Sequence, residues 1–388
     1  MRILHIAADL DRRKGGPTAA CIGLAALMAR RGHEVRIVTT DRGYTRPAPE
    51  PPGNLAIEAL PGSWPAFFGT SWPLHRRLDE VVPEADVVHL HSLYLFHDWS
   101  GARACWRFRK PYIVRPHGTL DPYIYRRHRW RKLLAEALFQ RRVLRRAAGL
   151  HYTAADEWLL ARPQARNPRG AIVPIGIDAA AFASLPPRSA LRGRYPGIGA
   201  RKVVLFLGRL SYKKGLDVVI DAVAEVARGG HDVFLLIAGP DDGVRDAAEQ
   251  RIRARGIEGR ALFAGMVTGA QKLEVLAASD VFLLPSQSEN FGITVVEAAA
   301  CRVPVVISDR VNLWREFQEA GAALVGPPEA GPFAAHLRFL LENPAEAAGI
   351  AERGAALVRR NFDWDALGPR YEAMYAEAIG TGKLQELS

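Results

Sequence analysis

Short runs of uninterrupted apolar residues alternate along this chain with longer segments in which apolar positions recur every three to four residues. Runs of four to eight apolar residues bounded by Gly, Pro or Asp predict strands buried on both faces, and the 3.6-residue period predicts amphipathic helices. In the first half the predicted strands are RILHIAA, VRIVTT, DVVHLH, YIVRPHG, GLHYTA and AIVPIG. In the second half they are KVVLFLG, VFLLIAG, RALFAG, DVFLLPS, VPVVISD and AALVG. Helices are predicted over residues 18–31, 99–108, 127–147, 216–228, 246–255, 269–278 and 345–360. Strand and helix in strict alternation imply parallel sheets covered by helices on both faces. The segment PGSWPAFFGTSWPLHRR breaks the alternation and is expected to be irregular, with Trp64, Phe67, Phe68 and Trp72 set among prolines and glycines.

The chain has 388 residues, more than the roughly 250–300 at which single hydrophobic cores stop growing. Two Rossmann-like α/β domains are expected. The boundary is placed in SLPPRSALRGRYPGIGARK, rich in Pro, Gly and basic residues and followed by a fresh buried strand. This gives domains over 1–183 and 184–363, with a last helical segment over 364–388.

Composition narrows the class of protein. No apolar run approaches the ~20 residues of a membrane span, and MRILHIAADL reads as a first strand rather than a signal peptide. A cytoplasmic location is expected. Cys21, Cys105 and Cys301 are widely spaced in apolar helical contexts and are expected to be buried thiols of a reducing compartment. A net charge of +11 predicts an acidic partner. Much of that charge lies in residues 126–146, where Glu136 is the sole acid among nine Lys and Arg residues. Helical spacing places Trp130, Leu133, Leu134, Ala137, Leu138 and Val143 on an apolar face beside the basic one. A basic amphipathic helix of this kind reads as a surface that docks on anionic membrane, or else as a solvated outer helix.

The candidate chemistry is concentrated in SDVFLLPSQSENFGITVVEAAACRVPVVISD, residues 279–309. Here Glu289 and Glu297 flank Asn290, Phe291, Gly292 and Ile293 where a strand turns into a helix, at the carboxyl end of a parallel strand where open α/β sheets bind ligands. Free N–H groups after Phe291 and Gly292 form an anion seat. A second strand-to-helix loop, GRLSYKKG, carries Arg209 and Lys214, two cations suited to a diphosphate leaving group. In the first half, Gly15, Gly16 and Pro17 form a tight turn before a helix, and His117 and Gly118 end a buried strand. Of His89, His91 and His97, the first two alternate as His-x-His, but no carboxylate or cysteine completes a convincing metal set, so His89 and His91 are expected to line a cleft or pack against it. No metal and no cofactor is predicted.

In their order, the Gly-Gly-Pro turn, His-Gly, the Arg/Lys loop, the acid–Phe-Gly–helix–acid segment and a closing helix closely resemble the retaining, GT-B-fold glycosyltransferases of group 1, also called family 4. The resemblance covers nearly the whole chain. It implies two Rossmann-like domains facing a central cleft, an acceptor-binding first domain, a nucleotide-sugar-binding second domain, and a terminal helix that crosses back to the first. It assigns Glu289 to hydroxyls of the transferred sugar, Glu297 to the ribose, and Arg209 and Lys214 to the pyrophosphate. Asn290, Phe291, Gly292 and Ile293 line the donor at the helix N-terminus, Val267 and Lys272 approach the base, Gly15 and Gly16 meet donor phosphate or acceptor, and His117 contacts the sugar near its anomeric centre. One departure is Ile175 in PIGID, where the family commonly has Asn.

The resemblance implies a metal-independent hexosyl transfer from a UDP- or GDP-sugar to a hydroxyl of a glycan or lipid-linked glycan, in bacterial cell-surface polysaccharide or lipopolysaccharide synthesis, with peripheral contact at the inner face of the membrane. Two alternatives compete. One is a sugar-nucleotide epimerase or phosphorylase of the same fold, the latter requiring a pyridoxal-phosphate lysine that no feature identifies. The other is a basic nucleic-acid-binding protein, which would need aromatic platforms or a groove-reading motif; no nucleic-acid partner is expected. Asp9/Asp11 and Asp363/Asp365 resemble metal-binding acid pairs but precede the Gly-Gly-Pro turn and the last helix, away from the donor segment.

Overall fold

The computed structural model describes residues 1–11, 16–44, 53–126 and 129–387. They form two compact units, Met1–Gly176 with Trp364–Ser388, and Ile177–Asp363. The chain thus leaves the first unit ahead of the Pro-rich stretch where sequence composition put the division, and that stretch folds within the second unit as a helix, Arg188–Arg194, and a 3-10 turn, Pro196–Ile198.

The first unit holds strands β1 (Arg2–Ala7), β2 (Glu34–Thr40), β3 (Leu55–Leu60), β4 (Val87–His91), β5 (Tyr112–Arg115), β6 (Gly149–Tyr152) and β7 (Gly170–Ile172). All pair in parallel, in the order β3-β2-β1-β4-β5-β6-β7. The second holds β8 (Lys202–Leu207), β9 (Val233–Ala238), β10 (Ala261–Gly265), β11 (Val281–Leu284), β12 (Val305–Ser308) and β13 (Ala323–Gly326), also parallel, in the order β10-β9-β8-β11-β12-β13. Both sheets are wound outward in two directions from their first strand. The winding reverses between β1 and β4 in one unit and between β8 and β11 in the other, and such a switch point leaves a crevice at the strands' carboxyl ends.

β4, β9, β11 and β12 are buried along their whole length, as expected for strands covered on both faces. The edge strand β3 is absent from the apolar runs because it is mostly half-exposed and carries Glu58, which pairs with Arg77 at 2.9 Å. The segment expected to be irregular contains a helix, Trp72–Val81. Ser71 caps it by accepting from the Leu74 N–H at 3.1 Å, and Pro73 is tolerated in the first turn, where its missing N–H costs nothing.

The helix expected over 127–147 is interrupted. Arg129–Ala135 and Arg141–Arg146 flank a π-helical turn, Glu136–Gln140. Wider winding turns Glu136 and Gln140 inward. Glu136 accepts from Tyr125 Oη at 2.6 Å, and Gln140 Oε1 accepts from the Tyr94 N–H at 2.8 Å. With these polar groups inside, Trp130, Leu133, Leu134 and Leu138 face solvent. Val143, expected on the same apolar face, is fully buried.

The last helix, Trp364–Thr381, belongs to the first unit although it follows the second in sequence. Its Trp364 indole lies where a Cβ at Gly23 or Gly176 would stand, 2.5 and 2.4 Å from such an atom, so both positions require glycine for contact rather than for backbone angle. Tyr371 Oη donates to the Pro174 carbonyl at 2.7 Å, and Arg31 and His33 hold Glu372 at 2.8 and 3.0 Å.

Candidate active site

In the second unit two loops meet at the switch point. β8 ends at Leu207, and the chain runs through Arg209 and a 3-10 turn, Tyr212–Lys214, to the helix Leu216–Arg228. β11, hydrogen-bonded to β8, ends at Leu284 and leads through Glu289 to the helix Ile293–Ala300. The loops are locked together by backbone. The Gln287 N–H donates to the Lys213 carbonyl at 2.7 Å, and Gly215, at φ +69°, lies so near Pro285 that a Cβ would stand 2.2 Å from its carbonyl oxygen. Glu289 is further fixed by β-bridge bonds to its own main chain, its N–H donating to Arg310 O and its carbonyl accepting from the Asn312 N–H, both at 3.0 Å.

This packing brings Glu289 and Lys214 together as an ion pair, with side chains 14% and 12% exposed. Burial alone would raise the Glu289 carboxyl, but the ammonium groups of Lys214 and Lys213 outweigh it and hold the group below the usual carboxylate range. Glu289 is therefore an acceptor-only group, suited to hydroxyl donors. The helix after it starts at Ile293, not at Glu289: Gly292 occupies its N-cap position at φ +80°, and no side chain caps the first turn. Phe291 is buried against Phe362 at a ring separation of 5.9 Å, which anchors the turn.

Just over one turn into that helix, Glu297 forms a second ion pair, with Lys272 at 2.5 Å. Lys272 lies on the helix Gly269–Ala277, and Val267 is buried just before it. Arg209 is more open, with a long 3.4 Å contact to Asp242. The second unit thus gathers Arg209, Lys214, Glu289, Asn290, Gly292, Ile293, Glu297, Val267 and Lys272 around the ends of β8, β10 and β11. Three cations, an uncapped helix N-terminus and two carboxylates on one crevice can bind an anion flanked by hydroxyl-bearing groups.

In the first unit, Gly15 lies outside the described residues, while Gly16 opens the helix Gly16–Arg30. His117 follows β5 with φ +52° and precedes Gly118 at φ +74°. A non-glycine residue in this region is strained and needs its surroundings to hold it. Glu157 does so on one side, accepting from the Gly118 N–H at 3.1 Å and from the Thr153 N–H and Oγ1 at 2.7 Å. On the other side His117 Nε2 meets His91 Nδ1 at 3.2 Å. Burial, then the Arg115 charge, keep the His117 ring well below the ordinary imidazole range, so it is neutral.

The histidines of β4 do not line an open surface: His89 and His91 are buried with His5, His151 and Arg115. Their signal in the sequence is polar side chains at alternate positions of strands otherwise read as fully buried. Cys21 Sγ and one ring nitrogen each of His5 and His91 lie within 4.8 Å of one another. The two rings are hydrogen-bonded directly at 2.9 Å, so their nitrogens face each other.

The family model for glycosyl transferases group 1 matches residues 191–356, and that for the glycosyl transferase 4-like domain matches residues 15–176. The chain belongs to the group 1 glycosyltransferases and has their GT-B fold. It is 26% identical to D-inositol 3-phosphate glycosyltransferase of Kineococcus radiotolerans over 94% of this chain and 91% of that protein. It is 25% identical to GDP-mannose:cellobiosyl-diphosphopolyprenol alpha-mannosyltransferase of Xanthomonas campestris over 100% and 99%. Anabaena HepE, solved in complex with UDP and glucose, superposes with a TM-score of 0.77 at 21% identity, covering 97% of this chain and 99% of that one.

Proposed function

We propose that the protein is a retaining, metal-independent hexosyltransferase that takes a nucleoside-diphosphate sugar as donor and a hydroxyl of a lipid-linked glycan as acceptor. The observation that carries this reading is the pairing of two carboxylates with two lysines at the switch point of the second sheet. Glu289 takes the sugar hydroxyls, Lys214 and Arg209 take the pyrophosphate, and Glu297 with Lys272 takes the ribose and base. Catalysis is then positioning and charge stabilisation: as the glycosidic bond breaks, phosphate charge grows toward Arg209, Lys214 and the N–H groups at Ile293. His117 contacts the transferred sugar from the first unit.

Supporting a lipid-linked acceptor, the Xanthomonas relative is named for a diphosphopolyprenol substrate, and the first unit carries an exposed apolar patch. Trp64 and Phe67 are 85% and 80% exposed, Trp130 and Leu138 are 66% and 72% exposed. Phe68 and Phe139, at 5.8 Å, join the two segments into one surface. Arg131 stacks on Trp130 beside it, so the patch combines apolar area and cations as a membrane interface requires. The enzyme then works at the cytoplasmic face of the membrane, in the synthesis of a bacterial surface polysaccharide.

Release of nucleotide from UDP- and GDP-sugars with a polyprenol-diphosphate glycan, with and without EDTA, tests the reading. Wild type is expected to transfer in EDTA, and Arg209→Ala is expected to lose most turnover, about a hundredfold by analogy with the loss of one oxyanion donor. Activity abolished by EDTA and restored by manganese would reject the metal-free mechanism. Salt-dependent binding of RNA without any sugar transfer would favour the nucleic-acid alternative.

A further inference from the structure

The face of the first sheet beneath the helices Gly16–Arg30 and Trp364–Thr381 is polar where a doubly covered sheet is ordinarily apolar. His5 stands opposite His89 in register, and His91 opposite Arg115, so the two-residue period sets all four on one face. His151 joins them from β6, its ring 5.2 Å from that of His89. All five side chains are buried, and the three guanidinium nitrogens of Arg115 have no hydrogen-bond partner among the described residues.

Hydrogen bonds divide this layer into two chains. The first runs from Tyr375 Oη to His89 Nδ1 at 2.9 Å, from His89 Nε2 to His151 Nδ1 at 3.4 Å, and from His151 Nε2 to the Val173 carbonyl at 2.9 Å. A carbonyl only accepts, so every proton in this chain is placed: His151 carries its hydrogen on Nε2, His89 on Nε2, and the tyrosine donates. The second links His5 Nδ1 to His91 Nε2 at 2.9 Å and His91 Nδ1 to His117 Nε2 at 3.2 Å. It has no carbonyl at its end.

Its direction follows from the far nitrogen, His5 Nε2, which is buried without a partner. A neutral imidazole has one N–H, so three in a row have two polarities. If the chain donated from His117 toward His5, an N–H would be stranded on His5 Nε2, and a buried donor without an acceptor is costly. If it donates from His5 toward His117, only a lone pair remains there. Cys21, close to His5 and His91 and held as a thiol with its pKa pushed up to about 12 by burial, is a weak donor that tolerates such a lone pair. An extra proton on the layer is opposed by burial and by the Arg115 charge, which hold His5 at about 3 and His91 well below the ordinary range.

We propose that His5 and His91 are positioning residues, and that the chain His5 to His91 to His117 locks His117 as the neutral tautomer with its hydrogen on Nδ1. His117 then presents a donor, not a base, to an oxygen of the transferred sugar. The inference rests on the reading that His117 meets that sugar, and it extends that reading to what the ring does there. Proton removal from the acceptor falls to another group.

Histidine-selective 15N labelling with long-range 1H–15N correlation at neutral pH tests this, with the His117 ring assigned by its disappearance in H117Q. In the wild type, His117 Nδ1 is expected to carry the hydrogen and Nε2 to be bare; hydrogen on Nε2 overturns the proposal, whatever the activity. In H5D the carboxylate at this position accepts from His91 Nε2–H and reverses the chain, so the His117 hydrogen is expected to move to Nε2, with kcat lower by about twofold to tenfold, the span of one net hydrogen bond, and donor KM unchanged. H5N places an amide N–H where the ring Nδ1–H was and is expected to keep both the Nδ1 tautomer and kcat. An unchanged tautomer in H5D, or a shifted tautomer with undiminished kcat, overturns the positioning role. If the wild-type tautomer is as stated but H117A transfers sugar at the wild-type rate, the relay stands and the assignment of His117 to the sugar fails.

Discussion

Glu289 and Glu297 sit on one short stretch of chain but face different partners. Glu289 is bound by the lysine of the β8 loop and held ionised by it, whereas Glu297 reaches the lysine of the helix after β10. Their replacement should differ in kind. Glu289→Ala removes the acceptor proposed for the reacting sugar and is expected to depress kcat with little change in nucleotide affinity. Glu297→Ala leaves Lys272 without its carboxylate and is expected to weaken UDP or GDP binding by roughly 1–3 kcal/mol, the cost of an unpaired hydrogen-bonding group. Titration calorimetry of the two variants with both nucleotides checks this, and unchanged affinity in the Glu297 variant rejects its placement at the ribose. At this scale the sequence disclosed the residues but not their pairing. The acids and lysines stand out because they interrupt strand-to-helix junctions. That Lys214 neutralises Glu289, and that Arg115 lies buried among histidines, depends on strands far apart in sequence being neighbours in the sheet.

Among the elements, those with strong apolar periodicity were legible nearly to the residue. The helix predicted over 216–228 is Leu216–Arg228, and that over 246–255 is Arg245–Arg255. Elements were misread where local signals conflict with burial: the half-exposed edge strand β3, the Pro-containing helix Trp72–Val81, and the π turn that inverts Glu136 and Leu138. The terminal helix Trp364–Thr381 shows how an element of weak amphipathicity is held by specific contacts instead. Besides the fit of Trp364 against Gly23 and Gly176, its Glu372 is paired with Arg31 and His33, chiefly through the Arg31 hydrogen bond, which brings the carboxyl down from 4.5 to about 2. A folded-state value below the unfolded one stabilises the fold above the unfolded value, and the contribution is lost as pH falls through the folded value. Glu372→Gln is therefore expected to lower the melting temperature near neutral pH, with the gap to wild type narrowing below pH 4.5 and closing near pH 2. Thermal melts across that range check it; a gap that does not change with pH means that the ion pair contributes nothing.

At the scale of the molecule, the net charge of +11 has a place to act. Inversion of the 129–146 segment leaves polar Glu136 and Gln140 inside and apolar Trp130, Leu134 and Leu138 outside, an arrangement that costs hydration unless something apolar covers it. The bilayer interface proposed above would supply that cover, and the two contributions to docking are separable by salt. Cations near an anionic surface contribute on the order of 1 kcal/mol each and are screened, whereas an inserted leucine contributes about 1.5–3 kcal/mol and is not. The choice of cations follows from the structure. Arg142 and Arg146 stack on Trp106, and Arg141 lies 3.6 Å from buried Glu136, so these three also serve the fold, and Arg127 lies outside the described residues. Arg131→Glu with Arg145→Glu is expected to reduce co-sedimentation with phosphatidylglycerol vesicles at low salt, by about fivefold per charge, and to matter little at high salt. Trp64→Ser with Leu138→Ser should reduce it at both. Nucleotide binding, proposed for the other unit's loops, should be unchanged in all four substitutions. Wild type that stays in the supernatant at low salt, or apolar variants that pellet as well as wild type, would exclude this face as a membrane anchor and leave a soluble glycan as the acceptor.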